Sequence, residues 1–167
     1  SYMTFRAVEV LLNLRDGTVK SLSLFRWSYF LLFFPSVSSG PIDRCHRFLG
    51  DLDGGITPKE YLDLLRRGVW KLIGGAFSAI VLGGLVWQYW LAPLPEKGLL
   101  PTLSYLYGYP LFLFFNFAGS SSMAIGTGYL LGVRMPENFR QPFFSVDMKN
   151  LWARWHISLS TWLRDYV

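Results

Sequence analysis

The residues best suited to chemistry are concentrated in the run Leu151-Trp-Ala-Arg-Trp-His-Ile-Ser-Leu-Ser-Thr-Trp-Leu-Arg-Asp-Tyr-Val167. A histidine can accept and return a proton near neutral pH, as acyl transfer to a hydroxyl requires. Read as one helix over 151–167, the run places His156 one turn from Trp152 and Ser160, and Arg154 one turn from Ser158. Trp152, Trp155, Leu159 and Trp162 then share a broad face. Ionisable groups in so apolar a helix are costly unless they face a bundle interior or an aqueous cavity, which makes a functional site the first hypothesis. A histidine that bonds a backbone carbonyl and fixes helix packing is the competing reading. These residues alone leave both open.

Other candidate groups are weaker. His46 sits in the basic stretch Arg44-Cys45-His46-Arg47, and one Cys-His pair has too few ligands for zinc, so no metal site is expected. Cys45 has Arg44 and His46 beside it, which would lower a thiol pKa, but an unreactive interfacial cysteine is the simpler reading. Ser120-Ser121-Ser122 has no neighbouring base and is expected to satisfy backbone groups of an interrupted helix. Gly126-x-Gly128 lacks the strand-and-helix context of a phosphate loop.

These residues need a scaffold, and composition says what kind. Of 167 residues, 51% are hydrophobic and 16% charged, with 16 Lys and Arg against 11 Asp and Glu for a net charge of +5. No charge occurs from Leu72 to Pro95 or from Gly98 to Val133, stretches of 24 and 36 residues. Such tracts exclude intrinsic disorder and point to an all-α, multi-pass membrane protein with short re-entrant and interfacial helices. A single cysteine excludes a disulfide scaffold. The basic residues are dispersed among apolar spans, so an anionic membrane surface explains them better than nucleic acid does.

Patterning then predicts the elements. Phe5–Asn13 reads as an amphipathic helix with Arg6, Glu9, Asn13 and Asp16 on one face and Phe5, Val8 and Leu12 on another, lying in the interface or covering other helices. Residues 27–42 are uncharged but too short to cross comfortably, and Pro35 and Gly40-Pro41 interrupt them, which predicts a re-entrant segment. Thr57-Pro58-Lys59-Glu60 is a capping-box helix start. The helix it opens becomes apolar over 69–92, the most secure span. Gly75, Ala79 and Gly83 repeat there at the spacing that admits a close helix neighbour, and Trp87, Tyr89 and Trp90 form an aromatic end. A second span is expected over 99–118, a break at 119–122, and a half-helix over 120–133, chiefly Met123–Val133. The motif helix 151–167 comes last. Lys and Arg counts put the amino-terminal arm (Arg6, Arg15, Lys20, Arg26), 43–71 and 134–154 on the cytoplasmic side, and the 93–101 loop outside.

Four ordered motifs carry a family resemblance: Phe33-Phe-Pro-Ser-Val-Ser-Ser-Gly-Pro-Ile-Asp-Arg44; Phe115-Asn-Phe-Ala-Gly119 followed by Met123-Ala-Ile-Gly126; Pro136-Glu-Asn-Phe139; and Trp152-Ala-Arg-Trp-His-Ile-Ser-Leu-Ser-Thr-Trp-Leu-Arg-Asp-Tyr166. Together they resemble the membrane-bound O-acyltransferases. Met3-Thr-Phe-Arg6 and Ser39-Gly-Pro-Ile-Asp-Arg44 look most like the branch that D-alanylates teichoic acids. Trp155-His-Ile-Ser-Leu-Ser-Thr-Trp162 is equally at home in alginate-type polysaccharide O-acetyltransferases.

The resemblance implies a many-helix enzyme of the bacterial cell membrane, with residues 1–167 as one partial membrane domain. Its acyl donor would be a D-alanyl thioester on the phosphopantetheine arm of a carrier protein, with no bound cofactor, and its acceptor a teichoic acid or an intermediate. His156 matches the first of two family histidines. The second, the principal catalytic one, belongs to a Trp-His-Gly motif that these residues lack, so the segment alone is expected to be inactive. Asn116 and Ser120 depart from the family's Asp and Tyr at those positions. With Arg154 and Ser160 they are candidates for the substrate path, while Arg44, Arg47, Arg66 and Arg67 are candidates for docking an acidic carrier. The competing class is a transporter or structural membrane subunit that uses the interruption at Gly119 as a pore or hinge.

Overall fold

A computed structural model describes residues 2–17, 23–37, 40–95 and 97–167. Lys20, one of the amino-terminal basic residues, and Ser39 of the Ser-Gly-Pro motif lie outside them. The described residues form helices and turns, with one isolated antiparallel bridge between Phe139 and Trp155.

The longest element starts where the capping box predicts. The Thr57 hydroxyl accepts the Glu60 N–H at 3.3 Å, and Glu60 Oε2 accepts the Thr57 N–H at 3.0 Å. From there α4 runs over Pro58–Leu91. It winds through two π-helical stretches, Phe77–Leu82 and Val86–Leu91. Among the described residues it is the one helix long and apolar enough to cross a membrane, and only 11% of its most apolar window is buried inside the chain. A core helix of a soluble protein would be mostly covered. A short connection leads into α5, Leu99–Leu130, which packs back along α4.

Glycines set how close the two helices come. A methyl built on Gly119 would lie 2.6 Å from the Gly75 carbonyl oxygen and 2.8 Å from Ala79 Cβ. One on Gly126 would lie 2.7 Å from the Gly68 carbonyl oxygen, and one on Gly83 2.7 Å from Asn116 Nδ2. The Gly75-Ala79-Gly83 stripe read from the sequence is therefore half of an antiparallel backbone-to-backbone seam. Trp87, Tyr89 and Trp90 are exposed at its far end, as expected.

The expected break at 119–122 is not there. The helix passes unbroken through Gly108, Pro110 and Gly119–Ser122. These small polar residues mark the closest helix contact rather than an interruption, and Ser122 donates across the seam to the Lys71 carbonyl at 3.0 Å. The half-helix 120–133 is thus the end of α5, closed by Gly132 at φ +79 with the Val133 N–H on the Gly128 carbonyl at 2.9 Å. This also removes the structural basis for a pore or hinge at Gly119.

Against one end of the hairpin lie α1 (Tyr2–Arg15), α2 (Leu24–Leu31), a 3₁₀ turn over Phe34–Ser36, and α3 (Cys45–Asp53). The described part of 27–42 is accordingly the end of a short helix, a 3₁₀ turn and, over 40–42, chain without regular structure. Pro35 sits inside the turn and is buried. The apolar core here joins Val10, Phe30, Phe33, Cys45, Phe48 and Leu49 to Leu64, Ile125 and Tyr129 of the hairpin.

The helix α1 is amphipathic with its faces reversed. Arg6, Glu9 and Asn13 are buried, whereas Val8, Leu11 and Leu14 are exposed, Glu9 at 0% and Leu11 at 60%. Arg6 Nη1 donates to the Phe30 carbonyl at 3.0 Å, and Nη2 to Ser36 Oγ. Glu9 Oε1 accepts the Cys45 N–H at 2.9 Å. Helix α1 covers other helices through its polar face.

Candidate functional site

The motif run is two helices. The first, α6, covers Met148–Trp152, and α7 covers Ile157–Tyr166. Between them the chain pairs with the segment just beyond α5. The Arg140 N–H donates to the Arg154 carbonyl at 3.0 Å, and the Ile157 N–H donates to the Asn138 carbonyl at 2.9 Å. These long-range bonds break the expected continuous helix over 151–167, and with it the spacings of Trp152 to His156 and Arg154 to Ser158, while His156 stays one turn from Ser160, whose N–H donates to its carbonyl at 3.1 Å.

His156 caps α7 with a left-handed backbone, φ +47 and ψ +52. Few non-glycine residues adopt that region. Asn138 holds the turn in place: its Oδ1 accepts the Ser158 hydroxyl at 2.6 Å and the Ser158 N–H at 3.3 Å. Ser158 Oγ in turn accepts the Ile42 N–H at 3.0 Å. The Pro136-Glu-Asn-Phe139 motif and the Gly-Pro-Ile-Asp motif thus meet the histidine motif at one hydroxyl.

The imidazole stands between α1 and α5. Tyr2 stacks on it with its hydroxyl 3.4 Å from Nε2, and Phe117 meets it edge-on with ring centroids 5.0 Å apart. Nδ1 is buried without a hydrogen-bond partner. Burial holds the His156 pKa below its ordinary value, which keeps the ring neutral and able to accept a proton at pH 7. Tyr2, Phe117 and Asn138 carry no chemical signature in the sequence that would single them out. Only the motif membership of Phe117 and Asn138 could have drawn attention to them.

The other path candidates scatter. Asn116 donates to the Phe112 carbonyl at 3.1 Å and lies against Gly83 of α4, on a different side of α5 from Phe117. Ser120 is half-buried on α5. Ser160 donates to the Trp152 carbonyl at 3.2 Å, tying α7 to α6, and the Arg154 backbone joins the pairing with Arg140. Closest to the motif in the hairpin is a cavity of about 240 Å³ lined by Lys71, Ser121, Glu137, Asn138 and Phe139 among others. Ser121 Oγ and Asn138 Nδ2 are buried there without partners.

The four docking candidates divide evenly. Arg44 reaches Asp165 at 2.6 Å and lies 3.9 Å from Glu9 and 5.0 Å over the Tyr166 ring. Arg47 pairs with Asp43, donates to the Arg134 carbonyl, and lies 3.9 Å from Asp51. Both hold the fold together. Arg66 and Arg67 share Asp63, at 3.3 and 2.9 Å, on the exposed first turns of α4. Cys45 is fully buried, and burial with Glu9 and Asp43 nearby pushes its thiol up to about 11, so it is no nucleophile at neutral pH. Among the described residues, no three His, Cys, Asp or Glu side chains converge as metal ligands would.

The chain is thus an unbroken glycine-packed hairpin with an apolar exterior, beside which the Pro-Glu-Asn-Phe segment turns a histidine out of its helix. The pattern "MBOAT, membrane-bound O-acyltransferase family" matches residues 1–167, and the chain belongs to that family. Among its relatives is the teichoic acid D-alanyltransferase of Bacillus subtilis (strain 168), 45% identical over 171 residues that cover 100% of this chain and 43% of that protein. The teichoic acid D-alanyltransferase of Lacticaseibacillus rhamnosus is 36% identical over 178 residues, covering 100% of this chain and 44% of that protein. The probable alginate O-acetylase AlgI of Pseudomonas aeruginosa is 32% identical over 171 residues, covering 100% of this chain and 32% of that protein. The chain spans less than half the length of these relatives.

Proposed function

We propose that these residues belong to a bacterial cell-membrane enzyme that moves D-alanyl groups from a carrier-protein thioester to teichoic acid hydroxyls. The observation that carries the reading is the 45% identity to a teichoic acid D-alanyltransferase along the whole chain, against 32% to an alginate O-acetylase. In this reading α4 and α5 both cross the membrane and the protein is multi-pass.

The acceptor's hydroxyl oxygen attacks the thioester carbonyl carbon. The C–O bond forms, the C–S bond breaks, the hydroxyl proton passes to a base, and the pantetheine thiolate is protonated as it leaves. A neutral, half-buried His156 with Nδ1 unpartnered suits a place along the donor's path. The base itself is assigned to the family's second histidine, in the Trp-His-Gly motif of the whole protein. Alginate-type O-acetylation is the second reading, favoured only by the AlgI-type relatives.

The test uses the intact protein in membrane vesicles, supplied with D-alanyl-loaded carrier on one side and teichoic acid on the other. D-alanyl ester appearing on the teichoic acid is the expected result. Transfer of acetyl groups to a polysaccharide, with no D-alanyl ester formed, overturns the proposal in favour of the second reading.

A further inference from the structure

We infer that the outer face of α4 around Arg66, Arg67 and Trp70 is a binding site for an anionic glycerophospholipid, its phosphate on the guanidinium pair and an acyl chain along the helix beyond Trp70. Three observations converge on it.

The first is charge. Arg66 and Arg67 share a single carboxylate, Asp63, so one positive charge is left uncompensated on this turn. Neighbouring Lys71 is neutralised by Glu137 at 2.5 Å and adds none. A phosphodiester carries one negative charge on oxygens that a guanidinium fork meets well. Arg67 is also steadied 5.8 Å over the Tyr129 ring of α5, facing a groove of about 490 Å³ that Arg66, Arg67, Trp70 and Tyr129 line together with Ser122 and the Lys71–Glu137 pair.

The second is an apolar strip on the same face. Immediately after Arg66 and Arg67 the exposed side chains of α4 become apolar: Trp70 is 71% exposed, and exposed Ile73, Phe77 and Ile80 continue at helical spacing, the last also at 71%. From Trp70 to Ile80 the helix rises about 15 Å, half of a roughly 30 Å hydrocarbon core and so the depth of one leaflet. A charged end with an apolar strip of that length has the proportions of one phospholipid.

The third is depth. Trp70 and Trp90 are 20 residues apart on α4, about 30 Å, which is the distance between the two interfaces where tryptophan collects. The guanidinium pair one turn before Trp70 therefore stands at headgroup level. Basic groups next to spans at that level are where anionic lipid headgroups are held.

Native mass spectrometry of the intact protein, released from vesicles of POPC and POPG in equal parts, tests the assignment. Wild type is expected to retain POPG over POPC. The double variant Arg66→Glu, Arg67→Glu is expected to lower POPG retention about tenfold. Trp70→Ala, which leaves both charges in place, is expected to lower it by a smaller factor of about 3, and it carries the test should the double variant fail to fold. Equal retention of POPG and POPC by wild type overturns the proposal, as does POPG retention unchanged in a folded variant. So does displacement of POPG by an equal concentration of inorganic phosphate, which would show an anion site with no part for the apolar strip. Loss of acidic carrier binding in the double variant, with POPG still bound, would give the patch to a protein partner instead.

Discussion

Between α4 and α5 the contact is backbone against backbone, with glycine, alanine and serine at the close approaches. Between α1 and its neighbours it is guanidinium and carboxylate against carbonyl, hydroxyl and amide, with Arg6, Glu9 and Asn13 turned inward. Both regions also leave many large apolar side chains exposed, beside a small inward core of Val10, Leu64, Ile125 and Tyr129. Where the surroundings are lipid, an apolar side chain gains nothing by turning in, so the inward face is chosen by closeness of packing and by hydrogen bonding. The hairpin takes the first route and the α1 layer the second. The two routes should fail differently when mutated.

The largest effect is expected at Arg6. Its guanidinium serves the Phe30 carbonyl and Ser36 while facing Glu9 and Asp43, so Arg6→Ala leaves two buried carboxylates short of positive charge. Each hydrogen bond to a charged group that is lost in this way costs about 1.5–3 kcal/mol. Thermal melts of the detergent-solubilised intact protein would show it.

The same layer predicts a pH dependence near neutrality. Burial raises the Glu9 carboxyl from 4.5 to about 7, outweighing the Cys45 N–H and the nearby Arg44 and Arg6, which favour the carboxylate. Because the folded pKa is the higher one, the folded state binds the extra proton. The stability this contributes is fully present below 4.5 and is lost as pH rises through about 7. The loss amounts to about 3 kcal/mol. Glu9→Gln keeps an acceptor for the Cys45 N–H and should flatten this part of the profile in melts taken between mildly acidic and mildly alkaline buffer.

In the hairpin the response should be steric and independent of pH. A methyl at Gly119 meets the Gly75 carbonyl oxygen at 2.6 Å and the Ala79 nitrogen at 2.7 Å, atoms that cannot move aside without parting the helices. Gly119→Ala is expected to cost about 2 kcal/mol by overpacking. One residue from the seam, a methyl placed on Gly74 would find nothing within 4 Å. Gly74→Ala should raise stability by about 0.5–1 kcal/mol through helix propensity alone. If melts showed the two substitutions behaving alike, close approach would not be the purpose these glycines serve.

The hairpin is legible in the sequence and the α1 layer is not, for the same reason. Helix starts, small-residue stripes and aromatic ends are local patterns, so Thr57 to Glu60, Gly75-Ala79-Gly83 and Trp87 to Trp90 can be placed from spacing. The partners of Arg6 and Glu9 are Phe30, Ser36, Arg44 and Cys45, and no periodicity connects residues so far apart. Spacing shows that α1 has a polar face, but it does not say which face turns inward. The Ser120-Ser121-Ser122 run resembles a break because serine is a poor interior helix residue in isolation. Here Ser122 bonds across to α4. The departure of His156 from its helix is equally hidden, since the bonds that enforce it come from Asn138 and Arg140.

The Lys71–Glu137 pair gives the molecule a depth gauge. Lys71 follows Trp70, and Glu137 precedes the Asn138 that fixes the turn at Ser158. The imidazole of His156 lies deeper than this pair: it meets Phe117, which stands between the Gly119–Gly75 and Asn116–Gly83 contacts, about half-way along α4 from Trp70 to Trp90. The ion pair therefore tethers one end of the segment near Trp70, while the imidazole that the segment carries is held near the middle of the hairpin.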